Sequence, residues 1–168
     1  MESGVDLFHI FEYEWKTKNP QIKNYLKNLF SKDFKQGYKI KKSSKEEYLI
    51  YKNFYSIGTK SIGKEIFGLY DNDEPVYYVS FSKTPKIEAG YEIKEELFIR
   101  NILDSERERL LKFFMEEYKT DLIYYLDRMK YSYKNYPSFD LLKIIPPKKI
   151  KIGSYLIYDS GRDVLYKS

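Results

Sequence analysis

Apolar and polar positions along the 168-residue chain change period several times, and each change marks an element. The β-prone run Val5 to Phe11 predicts a short strand. Asn19-Pro20 then offers an N-cap and a first-turn proline, and Ile22, Leu26, Leu29 and Phe30 follow at helical spacing. Lys23 and Lys27, four apart, share a more exposed face of that helix. Gly37 to Lys42 fits a second strand. Ser43 and Ser44, each with a glutamate three positions on, form overlapping capping boxes and predict a helix to about Tyr55. Ile57 to Gly63 reads as a loop.

The second half alternates more tightly. Ile66–Tyr70 and Val76–Phe81 flank the turn-forming Asp71-Asn72-Asp73-Glu74-Pro75 and predict a hairpin. Tyr91 to Ile102 holds one or two further strands. Ser105 and Glu108 make a capping box for the best helix of the chain, with Leu110, Leu111, Phe114 and Tyr118 on its apolar face. Asp121 to Leu126 reads as a buried strand. Tyr131 to Ile152, broken by Pro137, Pro146 and Pro147, is expected to be irregular. A closing hairpin is expected from Ser154–Tyr158 and Val164–Tyr166. Strands and helices in this order give an α+β fold with a mostly antiparallel sheet and packed helices, preceded by a short strand and a Lys-rich helix.

Composition narrows the chemistry. The chain has no cysteine, which excludes disulfides and thiolate metal sites. Ala89 is the single alanine against 19 tyrosines and 11 phenylalanines, a bias that AT-rich codons explain and that fits a viral genome. The tyrosines are read mainly as core and rim aromatics. No signal peptide and no membrane-length apolar run is visible, so no membrane partner is expected and the location is taken as the cytoplasm, of a host if the genome is viral.

Charge is unevenly spread. Lys16 to Lys45 carries ten lysines and one acid, Asp33, although the whole chain is only +5. A second stretch, Lys119 to Lys151, carries eight basic residues against Asp121, Asp127 and Asp140. Such clusters attract phosphates. Lys16, Lys18, Lys23, Lys27, Lys39, Lys41 and Lys42 are therefore candidate phosphate contacts, extended by Arg128, Lys148, Lys149 and Lys151. Tyr131 and Tyr133 could stack on bases of a single strand. Solubilising lysines on exposed faces are the alternative.

No complete catalytic centre is visible. His9 is the only histidine, no nucleophile elbow accompanies it, and no phosphate loop, dinucleotide fingerprint or zinc signature occurs. Glu12 and Glu14, at the end of the first strand, could share a divalent ion, although acids there usually pair with lysine.

One segment is more specific. Gly4-Val5-Asp6-Leu7-Phe8-His9-Ile10-Phe11-Glu12-Tyr13-Glu14-Trp15 resembles the end of the nuclease domain in phage-encoded Vsr-like, or EDxHD, homing endonucleases. Phe67-Gly68-Leu69-Tyr70, Tyr125-Leu126-Asp127-Arg128 and Tyr158-Asp159-Ser160-Gly161-Arg162-Asp163-Val164 resemble later strands and turns of that family, in order. The resemblance implies an end-of-nuclease unit over residues 1–36 and an acyltransferase-like (GNAT-like) α+β domain over 37–168. The family's catalytic core lies upstream of the first motif. It implies a DNA-binding accessory protein that has lost cleavage, is not an enzyme and holds no cofactor. A modulator of a host protein is the alternative, its tyrosines serving as anchors. A residual enzyme is the third reading. A pocket around Glu12, Glu14 and Asp127 would favour a nuclease, and a splayed pair of strands beside the Ser105 helix would favour an acyltransferase. In acyltransferases glycines before that helix bind the cofactor pyrophosphate. Here Asn101-Ile102-Leu103-Asp104-Ser105-Glu106-Arg107 has no glycine and carries acids, so acetyl-CoA is not expected.

Overall fold

The computed structural model describes residues 35–55, 62–88, 90–127, 136–159 and 161–168. Two helices and nine strands lie within them. These are β1 (Lys39–Lys42), α1 (Lys45–Tyr55), β2 (Glu65–Asp71), β3 (Glu74–Thr84), β4 (Gly90–Phe98), α2 (Asp104–Tyr118), β5 (Leu122–Asp127), β6 (Asp140–Ile145), β7 (Lys148–Ile152), β8 (Tyr155–Asp159) and β9 (Arg162–Lys167). The fold is α+β, as the periodicities predict.

Seven strands form one sheet in the order β1-β2-β3-β4-β5-β9-β6, antiparallel except for the central β4–β5 pair. A parallel pair needs a crossover, and α2 is that crossover. One face of the sheet is covered by α2, around Phe67, Val79, Phe81, Leu110, Leu111, Phe114 and Leu165. Phe81 and Phe114 stack with ring centroids 3.7 Å apart. The other face is covered by α1, over Tyr48, Ile66, Tyr78, Leu97 and Ile99. β2 and β3 are buried almost throughout because both faces are covered.

The capping box at α1 forms: Ser44 Oγ accepts the Glu47 N–H at 3.1 Å, and Ser43 Oγ donates to Glu47 Oε2 at 2.7 Å. The box expected at α2 does not. Its N-cap is Leu103, with no side-chain cap. Glu108 is drawn away to Lys167 at 3.2 Å and to Ser138 at 2.5 Å. The β2–β3 hairpin forms on the expected turn, with Asn72 at a φ of 58°.

The closing hairpin is a correction. β8 pairs with β7 in a separate two-stranded sheet, while β9 inserts between β5 and β6. Val164 and Leu165 on β9 are fully buried, whereas β8 is almost wholly exposed, so the two segments cannot share a face. The irregular stretch predicted over 131–152 contains β6 and β7. Of the proposed first unit, 1–36, only Lys35 and Gln36 fall among the described residues. No helix among the described residues is long and apolar enough to cross a membrane.

Candidate functional site: the divergence of β4 and β5

The parallel ladder between β4 and β5 is short. It joins Tyr91 to Leu122, Glu92 to Ile123 and Ile93 to Tyr124, and then stops. Beyond it β4 remains with β3 as far as Phe98, and β5 remains with β9 as far as Asp127. The two central strands therefore part company in mid-sheet, beside the start of α2.

A bulge stands at the parting. Ser80 pairs with Glu95 and Phe81 with Ile93, which leaves Lys94 as the extra residue on β4. A bulge increases local twist and resets the alternation of side chains. In an unbroken strand Ile93 and Glu95 would share a face. Instead Ile93 and Glu96 lie on the α2 side, and Glu95 is turned to the α1 side.

Four polar groups converge on the α2 side of the divergence. Tyr77 on β3 donates its hydroxyl to Glu96 Oε1 at 2.6 Å, and Tyr136 donates to Glu96 Oε2 at 2.5 Å. The Arg107 guanidinium of α2 lies 3.9 Å from Glu96 and 4.4 Å from the centre of the Tyr136 ring. Tyr136 also meets Tyr124 edge-on at 5.5 Å and Phe139 at 5.8 Å. The Glu96 side chain is 3 % exposed and Tyr136 2 %. Burial, reinforced by the charge of Glu96, pushes both phenols well above the ordinary tyrosine pKa, so both stay protonated. Burial opposes the charge on Arg107, but Glu96 and the surrounding oxygens outweigh it and hold the guanidinium charged.

Geometrically this is one carboxylate between two phenols, with a cation beside it. Neither Glu96, Tyr77 nor Tyr136 was singled out from sequence. They lie up to 59 positions apart in a chain with 19 tyrosines, and a bulge that re-aims Glu96 leaves no periodicity to read.

The sequence-derived candidates fall elsewhere. Lys39, Lys41 and Lys42 lie on β1, at one edge of the large sheet. Lys41 pairs with Asp73 at 3.3 Å and Lys42 with Glu65 at 2.7 Å. Lys148, Lys149 and Lys151 lie on β7, in the small sheet. Five strands of the large sheet separate β1 from β6, the strand that leads into β7, so the two lysine groups are not brought together. Lys16, Lys18, Lys23, Lys27, Arg128, Tyr131 and Tyr133 lie outside the described residues, as do His9, Glu12 and Glu14. Among the described residues no group of three potential metal ligands occurs.

No protein-family model and no curated protein sequence matches the chain. Solved structures do. An N-acetyltransferase from Staphylococcus aureus Mu50 superposes with a TM-score of 0.53 at 16% identity, over 78% of this chain and 97% of that one. The ribosomal-protein-S18-alanine N-acetyltransferase of Escherichia coli superposes with a TM-score of 0.51 at 12% identity, over 77% and 91%. The fold is the GNAT acetyltransferase fold. This confirms the GNAT-like α+β expectation and overturns the assignment to homing endonucleases, because the structural neighbours are acetyltransferases and not nucleases. It also removes the support for nucleic-acid binding as the function and for a chain without an enzyme's architecture. The splayed strands beside α2, which favour an acyltransferase over a nuclease, are present.

The GNAT fold implies acyl-CoA, which raises the question of fit at the start of α2. The residues there do not fit its pyrophosphate. No glycine lies between Gly90 and the end of α2, so no position there offers a backbone without a Cβ. The N–H groups of Glu106 and Arg107 are both bonded to the Leu103 carbonyl, at 3.0 and 3.3 Å. Asp104 sits at the first helical position, its side chain 70 % exposed and 3.4 Å from Arg107. Glu106, buried beneath, takes the Tyr38 N–H at 2.8 Å and Arg109 Nε at 2.7 Å. Acids in the first turn suit the helix dipole, and each is paired with an arginine of the helix, Asp104 with Arg107 and Glu106 with Arg109.

Proposed function

We propose that the protein is an acyltransferase acting on amines, with Glu96 and Tyr136 as its catalytic pair. One observation carries the reading: a carboxylate, two protonated phenols and a guanidinium meet where two parallel strands separate. The shared fold supports it.

The chemistry follows from the hydrogen bonds. An amine nitrogen attacks the acyl carbon, a C–N bond forms, and the bond to the leaving group breaks. Glu96 takes the proton the amine loses. Tyr136 gives its hydroxyl proton to the departing group, and the 2.5 Å bond to Glu96 returns a proton to it. Tyr77 holds the other carboxylate oxygen and fixes its direction. Arg107, through its charge, steadies the phenolate formed in passing.

The test is a transfer assay by mass spectrometry. Peptides with free N-termini, lysine peptides and polyamines are offered with a panel of acetyl donors. Acetylated amine that disappears with Glu96→Gln is the expected result. An unchanged rate in that variant, in a folded protein, would sink the assignment.

A further inference from the structure

Apart from Ile50 and Phe54 on α1, every large apolar side chain that stands open to water among the described residues falls between Leu141 and Tyr158, on β6 and on the β7–β8 ribbon. That concentration is a patch, not the ordinary scatter of apolar residues over a surface. The register of the ribbon sorts its side chains. Ile150 pairs with Ile157 and Ile152 with Tyr155, so these four share one face. Lys149 pairs with Tyr158 and Lys151 with Leu156, so both lysines lie on the opposite face. The apolar face carries charge only at its base, where Lys148 stands opposite Asp159.

A two-stranded ribbon with both faces in water has little to hold it. Its base is nevertheless closely built. Gly161, at a φ of 82°, passes so near the β6–β7 junction that a Cβ there would lie 2.4 Å from the Ile145 carbonyl oxygen. The Gly161 N–H is taken by Asp159 Oδ1 at 2.9 Å. Pro146 and Pro147 stiffen the other leg. The ribbon is presented in a fixed pose, which lowers the ordering cost of docking.

We infer that the ribbon is where a second copy of this chain docks, apolar face against apolar face about a two-fold axis. Area fits a second copy. Ile152 is 58 % exposed, Tyr155 75 % and Ile157 47 %, and Leu142 and Ile144, on the strand leading into the ribbon, are 57 and 50 % exposed. Together these offer on the order of 500 Å² of apolar surface per copy, the apolar share of the ~800 Å² that a standard interface takes from each partner. Charge fits as well. Pairing through this face leaves Lys149 and Lys151 of both copies turned to water, so two basic ribbons meet without setting like charges against each other. An acidic partner would be drawn to the opposite face. A two-fold contact also uses one patch twice and leaves no open end.

The experiment is sedimentation velocity on the full chain across a concentration series. A reversible dimer at micromolar concentration is the expected result. Ile152→Asp with Tyr155→Asp, both at open positions, should raise the dissociation constant by at least about tenfold, the scale of losing a central tyrosine anchor, with an unchanged circular dichroism spectrum. Leu156→Asp, on the lysine face, should leave the constant within a few-fold. A wild-type chain that stays monomeric at high micromolar concentration overturns the inference. Co-sedimentation of that monomer with phosphatidylglycerol vesicles, but not with phosphatidylcholine ones, would assign the patch to an anionic surface instead. A dimer that the double variant leaves intact, or that Leu156→Asp breaks equally, overturns the choice of face. Open-ended oligomers overturn the two-fold pairing.

Discussion

Two neighbouring glutamates of β4 have opposite surroundings. Glu95 faces α1, where the Tyr48 hydroxyl donates to it and Lys52 lies 3.1 Å away. Glu96 faces α2, with Tyr77, Tyr136 and Arg107 around it. Each is a buried carboxylate with phenol and cation, and each side chain is 4 % exposed or less. The difference is in who supplies the partners. Both partners of Glu95 come from one helix, a single turn apart, so the group is a clamp that fixes α1 to the sheet. The partners of Glu96 come from β3, α2 and the segment leading to β6, so the group spans a gap between elements. Composition alone does not tell the two carboxylates apart; the strand ladder beside each does.

Substitutions can break that comparison. The largest effect is expected for Glu96→Gln, which should cut amine acylation by about 100-fold or more, the usual scale for losing a general base. Glu95→Gln should leave the rate within a few-fold. Equal losses in the two variants would mean that neither face is special.

Stability should separate them in the other direction. Glu95→Ala breaks the ion pair to Lys52 and leaves the buried Tyr48 hydroxyl without its acceptor, and is expected to cost about 3 kcal/mol in urea unfolding. A cost near zero would show that α1 is held by its apolar contacts alone. Tyr136→Phe keeps the ring packing but loses one hydroxyl. It should slow transfer by about 10- to 100-fold while costing about 1 kcal/mol of stability. A stability loss without a rate loss would return Tyr136 to a packing role.

The smallest effect concerns acid. Burial alone would raise the Glu106 pKa, but bonds from Arg109 and the Tyr38 N–H override it and hold it below the ordinary carboxylate value. A depressed carboxylate contributes stability that is present above its unfolded pKa and is lost as pH falls through its folded one. Stability should therefore decline below the ordinary glutamate range, about pH 4. Glu106→Gln should flatten that part of the profile, measured as melting temperature against pH. An unaltered slope would assign the acid loss to other carboxylates.

The elements that sequence reveals are those settled locally. Ser44 and Glu47 sit three residues apart, and their cap forms as written. The turn at Asp71–Glu74 is likewise local chemistry. Ser105 and Glu108 have the same spacing, yet Lys167 and Ser138, distant in sequence, compete for the glutamate and win. β6 and β7 were hidden by prolines and lysines, because their exposed residues never had to alternate cleanly. β8 and β9 read as partners because they are adjacent, but two fully buried positions commit β9 to the large sheet. The site itself depends on a bulge and on two tyrosines and an arginine from three regions, and neither leaves a local signature.

That bulge has a consequence for comparing this chain with others. Because the ladder skips Lys94, it is Glu96 and not Glu95 that shares the face of Ile93 and looks toward the strand divergence. An alignment that closes the one-residue step here would match the wrong carboxylate between proteins of this fold. Deleting Lys94 would remove the bulge and leave Ile93, Glu95 and Glu96 in regular alternation, each glutamate on the face it now occupies. In genetic terms, which acid reaches the divergence is read from the one residue the ladder leaves out, not from the acid itself.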